Sequence, residues 1–307
     1  MNQIKAVMLG HAVGDALGVP VEFNNRESLK NNPVTSMRGF GTYHVPSGTW
    51  SDDTSMSLCA LDVLSKGTVN YQSIMKNFCS WYYHDKFTAT NVLFDVGNAC
   101  ADAIETYFNL RHSATKCGSN SEWSNGNGSL MRIHPFVLYA YYNNIDDDTL
   151  VDMIASASSL THAHQCSIDG CTIYAYVLKE ILNNQSKQSV YNGLNKVKNQ
   201  VKTKNKYYNR LLNQDIVSVD EREIKSSGYV VDSLEAAIWC LLTTDNYHDC
   251  VLKAVNLGED TDTVAAIAGG LAGALYGIES IPKDWLETLK KKDMIENMCE
   301  TAYYNWR

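Results

Sequence analysis

Apolar side chains recur at helical spacing from one end of this chain to the other, and period-two alternation is hard to find anywhere. Together these observations restrict the fold to helices packed on helices. Residues 3–18 show the pattern in Ile4, Val7, Met8, Ala12 and Ala16. Gly10, Gly14 and Gly18 fall four apart on one stripe, which permits close approach of a second helix. Gly18 and Pro20 stop this helix. A second one runs from Thr54 through Met56, Leu58, Cys59, Leu61 and Leu64. The same spacing predicts helices over 70–84, 94–109, 130–143, 147–159, 167–183, 187–203, 232–243, 247–256 and 263–276, an all-α fold. Residues 24–49 are rich in Asn, Pro, Gly and Ser, without periodicity. They read as a long loop, and a loop of this length in a compact domain is expected to be a mobile lid. Residues 183–214 are Asn- and Lys-rich, yet Val190, Leu194, Val197 and Val201 share one face, which suggests a peripheral helical insertion.

At 307 residues the chain is within reach of a single large domain, and no Pro/Gly/Ser-rich linker divides it. Hydrophobic residues at 45% and charged residues at 20% are ordinary for a globular protein. A net charge of -8 argues against sequence-independent nucleic-acid binding, which needs Lys and Arg to neutralise phosphates. Nine cysteines, an odd number with no CxxC pair, read as reduced thiols and point to the cytoplasm. His11 and Asp15 interrupt the N-terminal apolar stretch, so neither a signal peptide nor a membrane span is expected there or elsewhere. The expectation is a cytoplasmic monomer with no nucleic-acid or membrane partner.

The strongest chemical signal is a matched pair of segments. Ser51-Asp52-Asp53-Thr54 opens one apolar helix and Asp260-Thr261-Asp262-Thr263 opens another. Ser, Thr and Asp at helix starts are ordinary caps, each stabilising by roughly 1 kcal/mol. One carboxylate suffices for a cap, however, and each segment has two. Four carboxylates brought together repel unless cations or protons neutralise them. The all-oxygen donor set suits Mg²⁺ or Mn²⁺, leaves Ca²⁺ open and disfavours Zn²⁺. Glu22 is a further carboxylate within reach, although a lone Glu is more often solvated.

Other segments are ambiguous by themselves. Asn125-Gly126-Asn127-Gly128-Ser129, followed by Leu130-Met131-Arg132, is a glycine-rich turn before a helix. It is either a phosphate cradle or an ordinary turn. No Gly-Lys-Ser/Thr follows, which disfavours ATP hydrolysis. Thr161-His162-Ala163-His164-Gln165-Cys166 fits no common zinc spacing, so His162 is either a ligand-facing donor or a core histidine. Asp95 in Phe94-Asp95-Val96-Gly97-Asn98 is a plausible cap, and Tyr229 in Gly228-Tyr229-Val230-Val231-Asp232 is a plausible core residue.

In order, these segments resemble the motifs of the ADP-ribosylglycohydrolases, of the dinitrogenase reductase activating glycohydrolase and ADP-ribosylarginine hydrolase type. The resemblance is carried by Gly14-Asp15-Ala16-Leu17-Gly18 with Glu22, Gly48-Thr49-Trp50-Ser51-Asp52-Asp53-Thr54, Phe94-Asp95-Val96-Gly97, Asn127-Gly128-Ser129-Leu130-Met131-Arg132, Thr161-His162, Gly228-Tyr229-Val230-Val231-Asp232 and Gly258-Glu259-Asp260-Thr261-Asp262-Thr263. It runs nearly end to end and implies one domain over 1–307, a compact orthogonal helical bundle with a central dinuclear metal cleft. Two Mg²⁺ or Mn²⁺ ions would be held by Ser51, Asp52, Asp53, Asp260, Asp262 and Thr263, with Glu22 beside them on the lid side. The loop Asn127, Gly128, Ser129, Leu130 and Met131 would bind the diphosphate. His162 would contact the phosphates or the adenine, and Asp95, Gly97 and Tyr229 would surround the distal ribose. Ser51 stands where many relatives have Thr, and Glu259 where Gly is common, which adds a charge that either alters substrate preference or faces solvent.

The implied reaction is hydrolysis of the bond between ribose C1 and an acceptor on an ADP-ribosylated protein, foremost an arginine guanidinium, releasing ADP-ribose. Its transition state has oxocarbenium character, stabilised by Asp95 or Glu22, while Asp53 belongs to the acidic centre. Hydrolysis of serine or O-acetyl linkages, an ADP-ribose-binding or immunity protein without turnover, and a phosphohydrolase of the diphosphate are the rivals.

Overall fold

In the computed structural model, which describes residues 1–200, 206–213 and 215–306, the periodicity becomes fifteen α-helices and no strand among the described residues. In chain order they are α1 (Asn2–Gly18), α2 (Arg26–Asn31), α3 (Asp52–Leu64), α4 (Tyr71–His84), α5 (Asn98–Leu110), α6 (His134–Tyr142), α7 (Asp147–Ser158), α8 (Gln165–Asn183), α9 (Lys187–Gln200), α10 (Asn209–Leu212), α11 (Val230–Leu242), α12 (Tyr247–Val255), α13 (Thr261–Tyr276), α14 (Lys283–Thr288) and α15 (Lys292–Asn305). Positions 201–203 of the expected 187–203 helix, and Val201 with them, lie outside the described residues.

Where elements differ from expectation, the cause is local. Helix α5 begins at Asn98 and not near 94, because Asp95 adopts a left-handed φ of 51° that no helix can contain. Helix α6 begins at His134, with Pro135 in its first turn, and residues 129–132 form a turn before it. The expected loop contains α2, whose six residues are too few to show periodicity. Asn25 caps it by accepting the Ser28 N–H at 2.8 Å. Arg26 then donates to the carbonyls of Leu257 at 2.8 Å, Glu221 at 2.5 Å and Ile224 at 2.6 Å, which ties the start of 24–49 to the body. The C-terminal helices α14 and α15 were not anticipated. The buried stripe Ile295, Cys299, Ala302 and Trp306 carries the helical spacing that reveals α15.

The centre of the molecule is α1 against α13. A Cβ on Gly14 would collide with the Ala265 carbonyl, one on Gly18 with the Asp262 backbone, and one on Gly10 would lie 2.5 Å from the Gly269 carbonyl. The predicted glycine stripe therefore does bring a second helix to backbone contact. By length and composition Asn2–Val21 could cross a membrane, contrary to the expectation that no stretch comes near a span. Polar His11 and Asp15 are too few to offset its apolar residues, and 94% of the span's best window is buried inside the protein against the other helices. None of the nine cysteines is in a disulfide.

Gly14→Ala should force these helices apart. We expect a loss of about 3 kcal/mol in urea unfolding, the upper end for overpacking a core. An unchanged midpoint would contradict the packing described.

Candidate active site

Asp15 on α1 determines how the first acidic segment is used. Its Oδ1 accepts the Ser51 N–H at 2.8 Å, and its Oδ2 accepts the Thr54 N–H at 3.0 Å and the Thr54 hydroxyl at 2.6 Å. The free N–H groups at the start of α3 are thus met by Ser51 and by an acid from another helix, leaving Asp52 and Asp53 surplus to capping. Asp260 likewise makes no side-chain capping bond at α13 and instead accepts the Asn127 amide at 2.7 Å. The two segments meet in space. The hydroxyls of Ser51 and Thr263 both lie 3.2 Å from the same oxygen of Asp53, although Asp53 and Thr263 are 210 positions apart.

A cavity of about 330 Å³ opens over this junction. Of the anticipated site residues, Glu22, Asp52, Asp95, Gly97, Asn127, Gly128, Met131, His162, Asp260 and Thr263 line it. Ser51, Asp53 and Asp262 lie buried behind them. Oxygens of Glu22, Asp260 and Asp262 lie within 4.8 Å of one another, close enough to share a cation. Three buried carboxylate oxygens, Glu22 Oε2, Asp53 Oδ1 and Asp262 Oδ2, have no hydrogen-bond partner among the described residues. Buried anionic oxygens of this kind are costly, and a hard divalent ion fits them. Among the described residues, no Lys or Arg lines the cavity.

The electrostatics agree. Burial, reinforced by neighbouring carboxylates, raises Asp52, Asp53 and Asp262 well above the usual carboxylate range. Burial first and then Asp95 push Glu22 up to about 9, while burial takes Asp95 to about 6 and Asp15 to about 7. Asp260 is raised as well, against the opposing hydrogen bond from Asn127. Seven carboxyl groups therefore share one poorly hydrated site.

The opposite wall is the glycine-rich turn. Its backbone pairs with 228–230, through Asn127 N–H to the Gly228 carbonyl at 3.0 Å and Val230 N–H to the Asn125 carbonyl at 3.0 Å. The Asn127 side chain is occupied by Asp260 and Ser233, so it positions an acid. Ser129 and Leu130 face the core, with the Ser129 hydroxyl 2.9 Å from that of Ser158. Tyr229 lines a neighbouring cavity of about 470 Å³ with Trp123, Asn125 and Tyr207, and the two cavities share Gly126 and Gly228. Asp95 is held in its strained conformation beside the acids and does not cap α5, whose N-cap is Gly97.

Sequence reasoning assigned no role to Asp15, Tyr43 or Trp123. An Asp inside an otherwise apolar helix was the available signal for Asp15. Tyr43 stands beside Glu22 and Asp95 and favours the ionised form of each carboxyl, and its ring lies 5.0 Å from Phe94. Nothing in its surroundings along the chain announces this. Glu259 has a left-handed φ of 62° and is exposed to solvent, while its backbone pairs with Phe23 and Asn24 at 2.7 Å each.

These acids titrate above their unfolded values near 4, so the unfolded chain releases its protons first as the pH rises. The stability gained by keeping them protonated is complete below about pH 4 and is lost as the pH rises through the raised values, among them about 6 for Asp95, about 7 for Asp15 and about 9 for Glu22. In chelator, the thermal midpoint should fall from pH 5 to pH 8, and Mg²⁺ or Mn²⁺ should raise it more at pH 8 than at pH 5. Equal metal effects at both values would contradict this assignment.

Comparison with known proteins agrees with the motifs. The family model described as ADP-ribosylglycohydrolase matches residues 1–306. The chain is 34% identical over 306 residues to the ADP-ribosylarginine hydrolase Tri1 of Serratia proteamaculans (strain 568), covering 99% of this chain and 80% of that protein. It is 30% identical over 288 residues to the ADP-ribosyl-[dinitrogen reductase] glycohydrolase of Rhodospirillum rubrum, covering 92% and 89%. A solved structure described as an ADP-ribosylglycohydrolase-related protein complex superposes with a TM-score of 0.85 at 28% identity, over 100% of this chain and 98% of that one. With its all-α fold and its full-length match, this chain belongs to the ADP-ribosylglycohydrolase family.

Proposed function

We propose that this protein removes ADP-ribose from modified arginine side chains, hydrolysing the N-glycosidic bond between ribose C1 and the guanidinium with two Mg²⁺ or Mn²⁺ ions. The carrying observation is the convergence of the two acidic segments, with unpartnered buried oxygens, at the floor of the cavity. Relatives named as arginine and dinitrogen reductase hydrolases support the substrate.

Ser51, Asp52, Asp53, Asp260, Asp262 and Thr263, with Glu22, are the residues that would hold the ions. When bound, the ions supply positive charge that orients the ribose hydroxyls and acidifies water. Asp95 and Glu22, both beside Tyr43, are the groups that stabilise an oxocarbenium-like ribose and move the proton. Gly128 and His162 border the path of the diphosphate. The aromatic cavity of Trp123, Tyr207 and Tyr229 suits the adenine, because a purine stacks on such rings. The 24–49 segment covers the acidic side as a lid, with Tyr43 at its inner surface. The free thiols suit a reducing cytoplasm.

Incubated with ADP-ribosylarginine protein and Mn²⁺, the enzyme should release intact ADP-ribose. Chelator or Asp53→Ala should abolish release, and Asp95→Asn should slow it by about 10²–10⁴-fold, the range for a general acid–base group. Release of AMP, or no release from any ADP-ribosyl linkage, would overturn the proposal.

A further inference from the structure

His162 presents two edges to different surroundings. Its Nε2 edge faces the glycine-rich turn in the cavity, where a Cβ on Gly126 would lie 3.5 Å from Nε2 and one on Gly128 would lie 3.6 Å from it. Its Nδ1 lies 2.8 Å from the Thr161 hydroxyl oxygen, and that oxygen lies 2.8 Å from Arg132 Nη2. Arg132 is completely buried. Both of its terminal nitrogens donate to the Ala157 carbonyl at 3.2 Å, and its guanidinium sits 4.9 Å over the Phe78 ring. Such a group is held in one orientation.

The protons in this chain can be assigned. A guanidinium only donates, so the Thr161 oxygen accepts from Arg132 and its single hydroxyl proton is left to give. Two groups are within reach of that proton, His162 Nδ1 and the Cys100 thiol. Burial pushes Cys100 up to about 11, which keeps it a neutral thiol, and neutral sulfur is the weaker acceptor. The proton therefore goes to Nδ1. Burial and the Arg132 charge hold His162 down at about 3, so the ring is neutral and its one proton must sit on Nε2. The backbone fixes the ring's place. His162 N–H donates to the Ser158 carbonyl at 2.8 Å, and the Ser158 hydroxyl donates to the His162 carbonyl at 2.8 Å.

We propose that Arg132 and Thr161 are positioning residues which lock His162 as a neutral Nε2–H donor aimed into the cavity, where it binds an oxygen of the ligand's diphosphate. The ligand assignment rests on the function proposed above; the proton arrangement does not. Among the described residues the cavity wall has no Lys or Arg, so none of them offers a cation there to substitute for this donor.

Replacing the fully buried Arg132 would disturb the core, so the test uses Thr161. Nitrogen-15 NMR of ring-labelled, ligand-free protein at pH 7 should show His162 as the Nε2–H tautomer, unchanged down to pH 5. Thr161→Val should shift the ring away from that single tautomer and weaken ADP-ribose binding about 10-fold, as expected for one lost hydrogen bond to a charged group. Thr161→Ser should restore both. A wild-type ring protonated on Nδ1, or Thr161→Val spectra identical to wild type, would overturn the proposal. The expected tautomer in a wild-type protein that binds no ADP-ribose would overturn the ligand half, and would locate the failure in the functional reading.

Discussion

Backbone contact between α1 and α13 is the constraint on which the site depends. Each side chain missing at Gly10, Gly14 and Gly18 removes a collision with the opposite helix, so the axes approach more closely than ordinary core residues would allow. At Gly18 the approach is against Asp262 itself. One turn earlier on α1, Asp15 captures the start of α3 through Ser51 and Thr54. A single helix thus holds both acidic segments, one by steric proximity and the other by hydrogen bonds. Core packing and site geometry are here the same interaction.

The scaffold has to hold together a centre that repels itself. Burial alone raises these carboxyls, and each ionised neighbour raises them further. Two features limit the cost. The acids lie at the starts of α3 and α13, where helix dipoles favour negative charge. Hydroxyl and amide donors from Ser51, Thr263 and Asn127 also point at individual carboxylate oxygens. Donors remain fewer than acceptors, which is why three oxygens stay unpartnered. A centre built for stability would have closed that gap with Lys or Arg. One built to receive cations leaves it open.

Much of this was legible in the sequence, because periodicity and repeated acidic segments are local patterns. The longer helices and the glycine stripe followed from spacings of three or four residues, and the paired Asp clusters from two matched short segments. What escaped notice depends on tertiary placement. Asp95 lies outside α5 because of one left-handed residue, and a helical period cannot register a single φ. Tyr43 reaches Glu22 and Asp95 only because Thr42 binds the Pro20 carbonyl at 3.0 Å and the Glu22 carbonyl at 2.8 Å, folding that stretch back over α1. Tyr229 and Trp123 are drawn into one cavity by the pairing of 125–127 with 228–230, two short segments with no strand pattern. The helix in 24–49 was hidden by brevity, and α15 by a polar sequence around a thin apolar stripe.

Glu259 shows how backbone requirements and charge can be separated. The position has a φ of 62°, where glycine is the unstrained residue, and its N–H and carbonyl bind Asn24 and Phe23 on the far side of Glu22. What the acidic centre takes from this residue is its backbone, which fastens the segment after α1 to the loop before α13. The side chain points to solvent, so its charge is hydrated and screened, unlike that of Asp260 one residue on. Of the two readings open for this departure, the structure favours a solvent-facing charge. The adjacent acids differ in what surrounds each carboxyl, water for Glu259 and the Asn127 amide for Asp260.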